Sequence, residues 1–176
     1  MSQRCVTIYG PMGSGKTSVG QELADMLGYE FVDTDDIVEQ EAGKSITEIF
    51  REEGESGFRR READAVASLA GAESKVIATG GGVVKDPQNR HVLQSIGLTV
   101  YLKASPRELY QRVKNDTNRP LLQNVDDPVA VMEKLIRERE EFYKEADIII
   151  DTEDLSIEEV TDVLIDELAK RTVSDV

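Results

Sequence analysis

Gly10-Pro-Met-Gly-Ser-Gly-Lys-Thr17 has glycine at its first and sixth positions, followed at once by Lys16 and Thr17. A β-rich run, Arg4-Cys-Val-Thr-Ile-Tyr9, precedes it, and Ser18 to Leu27 reads as an amphipathic helix. Strand, glycine loop and helix in that order form a phosphate cradle. Gly10, Gly13 and Gly15 permit dihedrals that turn backbone N–H groups inward, and they keep side chains out of the way. The helix start adds unpaired amides and a partial positive charge. Lys16 is placed to reach the β- and γ-phosphates, and the Thr17 hydroxyl to ligate Mg²⁺. A plain glycine turn would leave this lysine and this hydroxyl without a purpose. The stretch reads as a nucleotide phosphate site.

Working outward, the 176 residues suit a single domain spanning 1–176. A hydrophobic content of 39% with 32% charged residues is that of a soluble globular chain. No apolar run is long enough to cross a membrane, and the N-terminus lacks the apolar core of a signal peptide. The expectation is a cytoplasmic monomer that binds small molecules. Cys5, the only cysteine, excludes an internal disulfide, and the lone His91 excludes a histidine-cluster metal site. A net charge of −14 repels nucleic acid and argues against that class of partner.

Strands are expected at Glu30–Asp33, Lys75–Thr79, Leu98–Leu102 and Asp147–Asp151, alternating with helices. With the first strand they predict a P-loop NTPase fold, three-layer α/β/α around a five-stranded parallel sheet. Asp33-Thr-Asp35-Asp36 falls at a strand's carboxyl end, where ligands of such sheets bind. If the chain stays extended, Asp33 and Asp35 point to opposite faces, one toward metal and one toward a second substrate. Helix N-capping by Asp35 or Asp36 is the alternative. Gly54 and Gly57 bracket a turn, and Arg59-Arg-Arg61 then opens a helix at the end where the dipole disfavours cations. That suggests an anionic ligand or, more simply, a solvated charge run.

Gly80-Gly-Gly82 ends an apolar strand and either seats a ligand or makes a flexible turn. Ser105-Pro-Arg-Glu108 reads as a capping box, and 115–126 as a polar, unpatterned lid with Arg119 in its middle. Arg139 interrupts the apolar stripe of the helix that starts at Asp127-Pro128. An arginine on a buried face needs a partner. Residues 172–176 are expected to fray.

The phosphate loop alone leaves ATPase, GTPase and kinase open. No N-K-x-D motif for guanine is present, and the D-x-x-G at Asp25–Gly28 lies at the end of the first helix. Further pieces follow in order: Phe31-Val-Asp-Thr-Asp35, Gly43-Lys-Ser-Ile-Thr-Glu-Ile-Phe50 and Glu55-Ser-Gly-Phe-Arg-Arg-Arg-Glu62. Then come Ala78-Thr-Gly-Gly-Gly-Val83, Asn118-Arg-Pro-Leu-Leu122 and Arg139 to Tyr143. In combination and spacing the chain resembles the shikimate kinase family from residue 4 to about 170.

The resemblance implies a nucleoside-monophosphate-kinase-like fold and transfer of the γ-phosphoryl group of ATP to the 3-hydroxyl of shikimate. That reaction belongs to chorismate and aromatic amino-acid biosynthesis. It implies Asp35, Arg59, Glu62, Gly80, Gly81, Gly82 and Arg139 around shikimate, with the helical segment 34–62 forming that side. Gly13, Ser14, Gly15, Lys16, Thr17 and Ser18 resemble the phosphate-binding segment, Arg112 the residue packing on adenine, and Arg119 the lid arginine. Thr17 and Asp33 resemble the Mg²⁺ site. Lys16, Asp35 and Arg119 are the expected catalytic groups. The chain departs from the family at Thr152-Glu-Asp-Leu-Ser156, where a basic residue often flanks adenine. A gluconate-type sugar-acid kinase and a nucleotide-binding regulator without turnover are the rival readings.

Overall fold

The computed structural model describes residues 4–117 and 119–174. Five strands run parallel in the order β2-β3-β1-β4-β5: β1 (Cys5–Tyr9), β2 (Glu30–Asp33), β3 (Lys75–Ala78), β4 (Gly97–Lys103) and β5 (Ile148–Asp151). β1 lies at the centre, with Val6 opposite Val76 on one side and Leu98 on the other. Its alternation sets the layers. Val6 and Ile8 pack on Val19 and Leu23 of α1 (Lys16–Leu27) and on Val160 and Leu164 of α7 (Ile157–Ser174). Cys5 and Tyr9 face the other layer, built from α3 (Ile46–Ala67), α4 (Pro87–Ile96) and α6 (Pro128–Tyr143). The expected three-layer parallel architecture is borne out. Because all five strands point the same way, the loops after β1, β2 and β3 open on one edge of the sheet.

Several local readings change. The segment after β2 is not extended. Asp33 is itself the N-cap of α2 (Thr34–Ala42), its carboxylate accepting from the Asp35 amide at 2.9 Å, so Asp35 belongs to a helical first turn. The break expected at Gly54 is there, but Gly57 lies inside the helical stretch that follows it. Gly54 (φ 69°, ψ −176°) kinks α3, and Arg59 to Arg61 follow inside it. The kink is held by Glu53, which accepts from Arg61 at 2.9 and 3.0 Å, so the outermost arginine of that run has a local partner. α4 was not singled out by its pattern, although Asp86 caps it and Pro87 opens it. β5 is an edge strand, with Ile148 and Ile150 buried and Ile149 half exposed. α7 runs helically through Ser174, while residues 175–176 lie outside the described residues.

Candidate active site

The phosphate loop is built by main chain. Gly10, Gly13 and Gly15 have φ of 155°, 82° and 91°, all in a range L side chains rarely adopt. Gly15 caps α1 without any side-chain hydrogen bond, which leaves the first amides of the helix available to an anion. A Cβ at Gly13 would stand 2.9 Å from the Leu109 carbonyl oxygen of α5 (Pro106–Val113), so α5 packs directly on the loop. Lys16 folds back, its Nζ donating to the carbonyls of Gly10 (2.8 Å) and Pro11 (2.9 Å). Burial lowers its pKa to about 8, with Arg119 and Arg139 pushing the same way and Asp35 and Asp33 opposing. A cavity of about 380 Å³ opens here, lined by Gly13, Gly15, Lys16, Thr17, Ser18 and Arg112 among others. Ser14 is buried and stands back from it, its amide donating to the Pro11 carbonyl.

Thr17 and Asp33 meet at the rim of this cavity, with Thr17 Oγ1 donating to Asp33 Oδ2 at 3.1 Å. No cluster of three or more His, Cys, Asp or Glu able to hold a metal exists among the described residues. A hydroxyl plus one carboxylate is a sparse oxygen set. It fits Mg²⁺, which keeps several waters and takes phosphate oxygens, and not a cation that needs an all-protein cage.

Arg112 reaches three elements at once. It donates to the Gly13 carbonyl (3.3 Å), to Thr152 Oγ1 (3.2 Å) and to the Thr152 carbonyl (3.0 Å), with Glu108 at 3.1 Å. Glu108 is thereby drawn away from the capping box expected at Ser105. Glu153 takes its place, accepting from Ser105 N (2.9 Å) and Ser105 Oγ (2.8 Å). Glu153, in the stretch Thr152–Ser156 that departs from the resemblance, is therefore a staple between the loop after β5 and α5. Arg119 pairs with Asp116 at 2.9 Å. Asn118, part of the same motif, lies outside the described residues.

A second cavity, about 560 Å³, adjoins the first. Asp35, Arg59, Glu62, Gly80, Gly81, Gly82, Arg119 and Arg139 all line it, drawn from α2, α3, the loop after β3, the segment before α6 and α6 itself. Glu62, 1% exposed, accepts from Arg59 Nη1 at 2.7 Å. Three buried polar atoms have no protein partner and belong to this wall: Asp35 Oδ1, Glu62 Oε2 and Arg139 Nε. Unpaired buried polar groups of both signs are costly and point to a polar ligand. Burial raises Asp35 to about 6, the Asp33 and Glu62 charges add to it, and Lys16 opposes. Burial raises Glu62 too, against the pull of Arg59 and Arg139.

The three glycines make room for charged heads. A Cβ at Gly80 would lie 2.8 Å from Glu62 Oε2, and one at Gly82 would lie 2.6 Å from Arg59 Nη1. At Gly81 it would come within 3.2 Å of Arg139 Nη1. Gly80 to Gly82 thus need space and not an unusual φ. The sequence reading missed the apolar side of this cavity, Met12, Ile46, Phe50, Phe58 and Leu121. These residues look like ordinary core in sequence. The one signal was that Phe50 and Phe58 stand either side of Gly54, whose kink lets their rings meet at 4.9 Å.

Met12, Asp35, Gly80, Gly81 and Arg119 line both cavities. A phosphate site and a polar acceptor site therefore share a wall. The family model for shikimate kinase matches residues 12–169. The chain belongs to the shikimate kinase family. A shikimate kinase of Halorhodospira halophila is 48% identical over 84% of this chain and 83% of its own length. One from Legionella pneumophila is 44% identical over 92% and 93%. Among solved structures, shikimate kinase from Acinetobacter baumannii in complex with shikimate superposes with a TM-score of 0.91 at 37% identity, covering 96% of this chain and 94% of that one. A gluconokinase from Sinorhizobium meliloti has a TM-score of 0.65 at 19% identity, a likeness of fold alone. Membership in this family makes the chain a kinase that uses ATP as co-substrate. No helix among the described residues is long and apolar enough to cross a membrane.

Proposed function

We propose that the cavity of about 380 Å³ holds the ATP phosphates, that the adjoining one of about 560 Å³ holds shikimate, and that the γ-phosphoryl group passes between them to the 3-hydroxyl. The observation that carries this reading is the shared wall, with Asp35 and Arg119 on both sides of it. A group bound at the end of the phosphate loop then faces an acceptor across one carboxylate and one guanidinium.

Little covalent work falls to the protein in such a transfer, which depends on positioning and on stabilising charge. Loop amides and Lys16 hold the phosphates. To do so, Lys16 exchanges its two carbonyl partners, Gly10 and Pro11, for phosphate oxygens. Arg119 leaves Asp116 to reach the transferring group. Asp35 orients the acceptor hydroxyl and takes its proton, a role suited to a carboxylate raised to about 6. Arg59 and Arg139 fork onto the acceptor carboxylate, and Glu62 keeps Arg59 aimed. Thr17 and Asp33 would hold Mg²⁺, which supplies charge neutralisation on the phosphates when bound. Segment 115–126 acts as a lid that excludes water. The chain is proposed to work as a monomer in the cytoplasm.

A coupled ADP-release assay with shikimate, gluconate and no acceptor tests the reading. Release should depend on shikimate and be near background otherwise. Equal release with all three would overturn it.

A further inference from the structure

Tyr143 is fully buried at the end of α6, its ring stacked on Tyr101 with centroids 4.9 Å apart and planes 21° from parallel. Its hydroxyl donates to the carbonyl oxygen of Gly81. One turn earlier on the same helix is Arg139, 5% exposed, with Nε unpartnered. The Arg139 head and the phenol border the same glycine: a Cβ at Gly81 would lie 3.2 Å from Arg139 Nη1 and 3.6 Å from the Tyr143 hydroxyl. A single phenol therefore holds the glycine strap at the point where the arginine head lies against it.

We infer that Tyr143 is a positioning residue for the acceptor. Through a relay from Arg139 N–H to Tyr143 oxygen, and from Tyr143 O–H to Gly81 C=O, it fixes the angle at which Arg139 meets the acceptor carboxylate. The relay needs the phenol neutral, since a phenolate would have no proton to give Gly81. Burial meets that need, raising the Tyr143 pKa to about 12 against the lowering pull of Arg139. The stack on Tyr101 supplies rigidity, because a ring clamped by a flat neighbour keeps its hydroxyl on one line. The phenol touches neither reacting group, so its effect should appear in acceptor binding and not in the nucleotide half. The inference rests on the reading of the second cavity as the acceptor site.

Kinetics of the parent, Tyr143→Phe, Arg139→Ala and the double variant test it, with Tyr101→Phe as control. Tyr143→Phe keeps the ring and its stack. It should raise KM for shikimate roughly tenfold with KM for ATP unchanged, the loss expected for one buried hydrogen bond. The double variant should be no worse than Arg139→Ala alone, because the relay has no arginine left to aim. Tyr101→Phe, which removes a phenol from the same stack without touching Gly81, should leave KM for shikimate unchanged. Independent losses in the double variant, an equal loss in Tyr101→Phe, or an unchanged KM in Tyr143→Phe would each overturn the proposal.

Should Tyr143→Phe not fold, a ring-fluorinated tyrosine at position 143 alone keeps the shape and makes the phenol more acidic. KM for shikimate should then rise more steeply with pH in that variant than in the parent. No such difference in pH dependence would overturn the relay. A parent that does not phosphorylate shikimate would instead refute the acceptor reading itself, so the two failures are distinguishable.

Discussion

The two cavities hold charge by different means. On the phosphate side the donors are main-chain amides at the start of α1, set by three positive-φ glycines within one short loop. On the acceptor side they are side-chain heads carried in from α2, α3, the segment before α6 and α6. Glycine serves both sides for different reasons. Gly13 and Gly15 are there for their dihedrals, while Gly80 to Gly82 are there for the room they leave to Glu62, Arg139 and Arg59. A main-chain cradle fits any polyphosphate and is rigid as soon as the fold forms. A cavity of converging side chains is specific to one acceptor and can be retuned one residue at a time.

If that division holds, the greatest damage comes from removing the charge that the phosphate loop itself carries, Lys16. Lys16→Met should lower kcat by about 10²–10³-fold or more, the range for deleting one donor to a charged transition state. The melting temperature should hardly change, since the bonds lost are the two to the Gly10 and Pro11 carbonyls. Near-normal turnover with unchanged melting would remove Lys16 from the mechanism.

Arg139→Ala attacks the adjustable side. Deleting one partner of a desolvated charge pair costs about 3 kcal/mol, or roughly 10²-fold in kcat/KM for shikimate. Against the uncharged amide analogue the loss should be much smaller. Equal losses for acid and amide would make Arg139 a support for α6 and not a reader of the carboxylate.

Ionisation links the two sides. Asp35 is raised to about 6 and Lys16 lowered to about 8, each chiefly by burial. In the free enzyme kcat/KM should therefore be bell-shaped, falling about tenfold per pH unit on the outer limbs. Stability should move the opposite way on the acid side. The folded state binds the Asp35 proton more tightly than the unfolded chain, so its ionisation opposes folding. This contribution improves as pH falls from about 6 toward the unfolded value of 3.8. Asp35→Asn should abolish the acid limb of any activity that survives, together with that gain in melting temperature. An unchanged acid limb in Asp35→Asn would assign it to another group.

The same contrast explains what could be read in advance. A main-chain cradle must be written contiguously, and Gly10 to Thr17 announces it along with the strand and helix on either side. Arg139 was conspicuous because a cation on an apolar stripe conflicts with its neighbours. The rest of the acceptor site is scattered over more than a hundred residues, and the odd placement of Asp35, Arg59 and Gly80 to Gly82, together with the ordered set of family-like pieces, is what groups them in sequence. Tyr143 and the Phe50–Phe58 wall were illegible, since a buried aromatic looks the same in sequence whether it packs or positions. Asp33 was misread because its cap bonds the Asp35 amide two residues on, and nothing in D-T-D-D says which acid turns back.

The smallest effect separates the two uses of glycine most cleanly. A methyl group at Gly82 would stand 2.6 and 2.7 Å from Nη1 and Cζ of Arg59, the free end of a long side chain that can swing aside. The fold should tolerate this. The guanidinium would be pushed off Glu62 Oε1, now 2.7 Å away, and out of line with the acceptor. Gly82→Ala should therefore raise KM for shikimate by about tenfold or less, the scale of one misplaced hydrogen bond, with KM for ATP and the melting temperature near those of the parent. Gly13→Ala is the counterpart. Its methyl would meet the Leu109 carbonyl at 2.9 Å with φ at +82°, and neither main chain can move without the helix behind it. That variant should lose stability and nucleotide affinity together. If Gly82→Ala instead melted early with both KM values raised, the triple glycine would be a backbone device like the phosphate loop, and the division between the two cavities would fail.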